Sequence, residues 1–218
     1  MRIVSVNIGK PRPNVWKAGA EFTGIDKHPV EGSVEVRAAR AKPSGEVGLA
    51  GDRVGDVRNH GGANQAVYAY ARADYDHFEK ILGRELRSGM FGDNLTVEGY
   101  DLCQARSGER WRGPDGLVLE VTSPRIPCGT FRGWMDEKGW LRTFTKQARS
   151  GAYLKVVAPG AVAKGIELEI VYRPDNDLTM TNLFRAGMGD RELATRFLDS
   201  GALNEDMADY FRALYKLD

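Results

Sequence analysis

Cys128 stands in the stretch Ser-Pro-Arg-Ile-Pro-Cys-Gly-Thr-Phe, residues 123–131, with proline before it and glycine after it. Pro127 fixes its own φ and pushes Ile126 toward extended backbone, while Gly129 permits a sharp turn or a close approach. A thiol on so stiff a bend, with Arg125 three residues before it, gains thiolate character, because a nearby guanidinium favours the charged form. A thiolate serves as a nucleophile or as a soft metal donor. A buried, inert cysteine is the alternative, since free cysteine is among the most buried residue types.

A second chemically dense stretch is GLAGDRVGDVRNHGGANQAVYAY, residues 48–70. Asp52, Asp56 and His60 recur at every fourth position, which on a helix would align three ligands. Gly51, Gly55 and the pair Gly61-Gly62 argue for loop instead, so a hard-metal triad is discounted. His60, ahead of two glycines, could hydrogen-bond a ligand while backbone N–H groups face it, or it could stabilise a turn. The segments TGIDKHPVEG (23–32) and FGDNLTVEG (91–99) read as glycine-rich turns between strands. Lys27 and His28 beside Pro29 offer an anion contact, against the default of a solvated lysine.

The elements that must position these groups are mostly short strands. Val4, Val6 and Ile8 alternate with Ser5 and Asn7; Val34 and Val36 flank Glu35; Leu117, Leu119 and Val121 share one face; Ile166, Leu168 and Ile170 alternate with glutamates. A period of two, broken by Gly and Pro, marks half-buried strands. With 26 glycines in 218 residues, about 12% against an average near 7%, many tight turns are affordable. The expected fold is mainly β (α+β): an antiparallel β-barrel with a few helices. One helix falls in RADYDHFEKIL with Asp74 as its cap, and a second in WLRTFTKQA with Leu141 and Phe144 on one side. After Pro174 the pattern becomes helical in three pieces, LTMTNLFRAG, RELATRFLD capped by Asp190, and EDMADYFRALYKL capped by Asn204. Three such helices cannot fold alone and must pack on the barrel or on another subunit, which leaves a homodimer open. The domain boundaries are therefore 1–174 and 175–218.

Lys and Arg total 31 against 30 Asp and Glu, a balance that gives no support for stable nucleic-acid binding. The N-terminus lacks a secretory signal and no apolar run reaches membrane-spanning length, so no membrane association is expected. Two cysteines make no disulfide framework, and two free thiols in a reducing cytoplasm are the expectation.

Six segments in order, TGIDKHPV (23–30), GLAGD (48–52), HGGANQAVYAY (60–70), FGDNL (91–95), PRIPC (124–128) and GAYLKVVAPGAV (151–162), resemble the MOSC-domain family, named for the C-terminal domain of molybdenum cofactor sulfurase. Within it the chain looks like the bacterial subgroup active on N-hydroxylated purines, whose small three-helix C-terminal domain the tail also resembles. The resemblance implies a β-barrel holding a molybdenum–pyranopterin cofactor, with the family's cysteine falling on Cys128 as catalytic residue and metal donor. It further implies Lys27, Arg125 and Arg149 as anion partners of the cofactor phosphate, and His60, Gly61, Gly62 and Asn94 lining the pterin or substrate face. The implied activity is reduction of N-hydroxylated bases to amines. No pyridoxal phosphate, flavin or iron–sulfur cluster is expected in the chain, so a separate flavoprotein or ferredoxin would deliver electrons. After Cys128 the chain reads Gly-Thr-Phe rather than the Lys-Leu-type continuation of some members, which bears on substrate identity. Two other readings are a non-catalytic cofactor or sulfur carrier, and a cysteine hydrolase with His60 as base.

Overall fold

The computed structural model describes residues 1–217. Eight strands form one sheet, in the order β12 (Glu169–Tyr172), β8 (Arg110–Arg112), β9 (Val118–Ser123), β10 (Ala152–Ala158), β6 (Val67–Ala71), β7 (Leu95–Glu98), β1 (Arg2–Gly9) and β4 (Lys27–Pro29). Two short ribbons, β5 (Val34–Val36) with β11 (Gly160–Val162) and β2 (Arg12–Pro13) with β3 (Phe22–Thr23), lie apart from it.

The architecture is α+β, as the residue pattern predicts, but the antiparallel barrel is corrected in two respects. Edge strands β4 and β12 do not pair with each other among the described residues, so the hydrogen-bonded order is open. The pair β6–β7 is parallel, because helix α1 (Arg72–Leu82) follows β6 directly and carries the chain away before β7 begins. A crossover through a helix is what parallel neighbours require. Helix α1 also starts earlier than its sequence suggests: Ala71 is the N-cap, and Asp74 sits inside the first turn.

Helix α2 (Gly129–Met135) begins immediately after Cys128, where only a loop is expected from the sequence. Helix α3 (Trp140–Gln147) lies where WLRTFTKQA places it and buries Trp140 and Phe144. In the tail, α4 (Met180–Gly187), α5 (Arg191–Asp199) and α6 (Glu205–Tyr215) follow the apolar pattern. Asp190 accepts from the Leu193 N–H and Asn204 from the Met207 N–H, the two caps read from the sequence. A side-chain oxygen at this position satisfies a helix N–H that has no carbonyl partner.

Two apolar clusters result. One joins Ile3, Val6, Leu119, Val121 and Leu154 of the sheet to Leu183, Ala194, Phe197, Met207 and Phe211 of the tail, so the tail helices bury their stripes against the strands. On α6, Leu214 departs from that stripe and is 45% exposed. The other cluster is aromatic: Tyr68, Tyr70, Tyr75, Phe78, Phe91, Phe131, Trp140, Phe144 and Phe184, with Cys128 packed at its edge. Among the described residues no helix is long and apolar enough to cross a membrane.

Candidate functional site

Strand β9 ends at Ser123, and residues 124–127 lead to Cys128, which is the N-cap of α2 with φ −120°. The thiol is half-buried. Burial alone would push it up, but hydrogen bonding with His60, the Arg125 and His60 charges and the Phe131 backbone N–H outweigh burial, and the thiol is pulled down to about 6. The second cysteine behaves oppositely: burial, reinforced by Asp74 and Asp101, pushes Cys103 up to about 12. One thiol is thus anionic at neutral pH and the other is not.

Arg125 is buried, 5% exposed. Its Nη1 donates to the Phe91 carbonyl, and its guanidinium lies over the rings of Phe131 and Tyr68, 4.1 and 5.4 Å from their centres. Its Nε has no hydrogen-bond partner. Gly92 (φ +78°) lies against this side chain, a Cβ there standing 3.4 Å from Arg125 Nη1.

The floor is a buried polar knot. Register between β1 and β4 sets Lys27 opposite Gly9 and turns its side chain inward. Lys27 Nζ donates to Asp52 Oδ1 at 2.5 Å and also to Oδ2. Asp52 further accepts from the Gly9 N–H at 2.9 Å and from Asn94 Nδ2 at 2.8 Å, while Asn94 Oδ1 accepts from the Tyr68 N–H. Asp56 takes no part in this knot and pairs with Lys17, and exposed His28 pairs with Asp26.

Lys27, His60, Gly61, Asn94, Arg125 and Cys128 line one cleft. The cleft is open to solvent, and counted to its mouth it spans about 710 Å³. Two expected members are not in it. Gly62 (φ +76°) packs beneath Lys42, whose backbone nitrogen lies 2.8 Å from where a Cβ would stand, and it serves as N-cap of the turn at 63–65. Arg149 lies on another face, where Nη1 donates to Asp74 at 2.6 Å beside Tyr100 and Asp101. It adjoins a motif in sequence, yet the chain turns into β10 at Ala152 and leaves the arginine behind.

Sequence reasoning missed Gln65, Tyr68, Tyr153 and Arg53, which also line the cleft. Gln65 and Tyr68 fall inside the HGGANQAVYAY segment, so a signal existed. Gln65 Oε1 is buried without a partner. Tyr153 likewise falls inside GAYLKVVAPGAV, and Arg53 directly follows GLAGD, so both lay next to a readable signal.

Among the described residues no group of three or more His, Cys, Asp or Glu could hold a bare metal ion. The donor set instead suits a metal that arrives chelated by an organic ligand and needs one soft protein donor. The orphaned Arg125 Nε and Gln65 Oε1 leave a donor and an acceptor for such a ligand.

Comparison with known proteins gives the family. The MOSC domain model matches residues 56–169. YflK of Bacillus subtilis is 29% identical over 93% of this chain and 89% of its own length. YiiM of Escherichia coli is 28% identical over 59% of this chain, which spans 58% of that protein. A Gibberella moniliformis protein named Reductase is 25% identical over 58% of this chain, matching 23% of its length. The crystal structure of YiiM from Geobacillus stearothermophilus shares the fold, with a TM-score of 0.77 at 23% identity over 100% of this chain and 99% of that one. The chain belongs to the MOSC domain family.

Proposed function

We propose that this chain binds a molybdenum–pyranopterin cofactor in the cleft around Cys128, with Cys128 as the single protein donor to the metal, and reduces N-hydroxylated bases of the hydroxylaminopurine type to amines. The observation that carries this reading is a thiol on the wall of an open cleft, its pKa pulled down to about 6. Membership of the family supports the cofactor, and the fungal relative named Reductase supports the reaction class. When bound, the cofactor supplies two-electron oxygen-atom exchange with the substrate.

The chain's own residues bind and orient. Cys128 anchors the metal, and Arg125 keeps the sulfur anionic while its free Nε is available to an acceptor on the cofactor. Lys27 and Asn94 brace the floor through Asp52. Arg53, on the exposed side of the same cleft, is a cation for the cofactor phosphate in place of Arg149. His60, next to the sulfur, can hold a proton on its ring and pass it to the departing oxygen. A separate flavoprotein or ferredoxin would deliver the electrons, since the sequence carries neither an iron–sulfur cysteine pattern nor a dinucleotide fingerprint.

The test is protein made in a host that synthesises the cofactor. Wild type should contain molybdenum and reduce hydroxylaminopurine with a chemical or protein electron donor, and Cys128→Ala should lose both. Wild-type turnover in that variant would refute the reading. A carrier would contain molybdenum yet show no substrate-dependent reoxidation after chemical reduction.

The contact of His60 with a low-pKa thiol also favours a second reading, a cysteine nucleophile with His60 as its base. Iodoacetamide separates the two: a free nucleophile is labelled whether or not molybdenum is present, whereas a ligated sulfur is protected.

A further inference from the structure

The cleft described above has a neighbour. A second one, about 900 Å³ counted to its open mouth, shares His60, Gln65, Cys128 and Tyr153 with it and is closed on its far side by helix α6. The sulfur therefore has free space on two sides. A donor atom so placed could seat a metal where the two clefts meet, with the bulk of the cofactor on one side and the substrate reaching the metal from the other.

The α6 wall is fixed, not loosely appended. Asn204 caps α6 and donates through Nδ2 to the Thr122 carbonyl at 2.9 Å, at the end of β9. Thr122 Oγ1 donates to the Asn64 carbonyl at 2.5 Å, and Asn64 Nδ2 donates to Asp206 Oδ2 at 3.1 Å. The ring of contacts ties α6 to the turn that follows His60-Gly61-Gly62. Inside the cleft, Ile126, Met207 and Tyr210 supply apolar surface. Lys42 and Asp206 supply one donor and one acceptor; burial pushes the Lys42 ammonium down, and the Asp206 and Asp56 carboxylates pull it back up. Apolar walls with a few converging polar groups are what a small-molecule site presents.

Resting on the reading under Proposed function, we propose that this second cleft is the substrate side of the site. The flat base of an N-hydroxylated purine-type substrate packs against Ile126, Met207 and Tyr210 with its polar edge on Lys42 and Asp206. The tail helix is then a specificity element, and a purine, with ring-nitrogen acceptors beside N–H donors, matches the cation–carboxylate pair better than a purely apolar hydroxylamine does.

The experiment uses cofactor-loaded protein and two variants, Asp206→Ala and Met207→Trp. Three quantities are read: KM for hydroxylaminopurine, the calorimetric Kd of adenine (its amine product), and molybdenum per chain. The expected result is a rise of roughly tenfold in both KM and Kd, the scale of one lost hydrogen bond, with molybdenum at the wild-type level. Unchanged KM and Kd in both variants would overturn the assignment, and so would loss of molybdenum in Asp206→Ala, which would put the cofactor in this cleft. Should Met207→Trp fail to fold, Asp206→Ala alone decides, because Asp206 is exposed. Wild type that neither reduces hydroxylaminopurine nor binds adenine removes both proposals; wild type that does both, with variants indistinguishable from it, removes only this one.

Discussion

Arg125 holds its guanidinium carbon 4.1 Å from the centre of the Phe131 ring, deep in the aromatic cluster, and none of its nitrogens meets a carboxylate among the described residues. A buried cation without an acidic partner is costly, so its charge acts on what is near. Tyr68, Tyr153 and Cys128 are the acidic groups that feel it, and of these only the Cys128 thiol is drawn below its ordinary range. In cofactor-free protein, the iodoacetamide rate at Cys128 should therefore rise with a midpoint near pH 6. Cys103, held up at about 12, should stay slow at neutral pH. Arg125→Gln should move the Cys128 midpoint up by roughly one unit, about 1.4 kcal/mol of lost preference for the thiolate. The same shift has a stability consequence. A group depressed on folding stabilises the fold above its unfolded pKa, about 8.5 for cysteine, and that contribution is lost as pH falls through the folded value. Cys128→Ser should flatten stability over that window.

The Lys27–Asp52 pair is a different kind of buried charge, because every oxygen is engaged. Both residues are nearly sealed, and Asp52 also serves Gly9 and Asn94. Lys27→Met should leave an unpaired buried carboxylate and cost about 3–5 kcal/mol in urea denaturation. The double variant Lys27→Met with Asp52→Asn should recover much of that loss, since a neutral amide can still accept from Gly9. A single variant as stable as wild type would mean that water reaches the pair.

Much of the fold is legible because it is local. Period-two patterns locate β1, β5 and β9, and the Asp190 and Asn204 caps mark helix starts to the residue. Helix α2 is hidden because Gly129 and Gly133 lower helix propensity; the second is required where the Trp16 ring lies against it. The open sheet and its parallel pair are not legible, since alternation tells which face is buried and not which strand is the neighbour. The same limit governs the site. Cys128, Arg125 and His60 sit in short motifs and meet in space, whereas Asp206 reaches Asn64 across 142 residues with no local signature. Arg149 is the converse case: it adjoins a motif in sequence yet lies on another face in space.

Arg149 yields a prediction of its own. Burial pushes the Asp74 carboxyl up, and Arg149 pulls it partway back; the other oxygen, Oδ2, has no partner. Arg149→Ala should raise the Asp74 pKa further. A carboxyl raised above its unfolded value destabilises the fold once pH exceeds that value, and the penalty fades as it protonates. The variant should thus lose more stability at about pH 7 than at about pH 5, while molybdenum content in cofactor-loaded protein stays at the wild-type level. Loss of molybdenum would return Arg149 to the site.

Gly92 tests whether the cleft depends on the seating of Arg125. Its φ of +78° is strained for any residue with a Cβ, and that Cβ would stand 3.3 Å from Ile25 Cγ1 and 3.4 Å from Arg125 Nη1. Gly92→Ala should cost about 1 kcal/mol or more from the backbone alone. Relief of that strain shifts the adjacent Phe91 carbonyl, which accepts from Arg125 Nη1, and so loosens the seating of the guanidinium against Phe131 and Tyr68. Displacing the cation weakens the field at the sulfur, so the Cys128 alkylation midpoint should rise in Gly92→Ala as it does in Arg125→Gln. Combining the two substitutions should add nothing to that rise, since non-additivity is the signature of two residues acting through one contact. A midpoint unmoved by Gly92→Ala in a folded protein would show that the seating of Arg125 does not depend on Gly92.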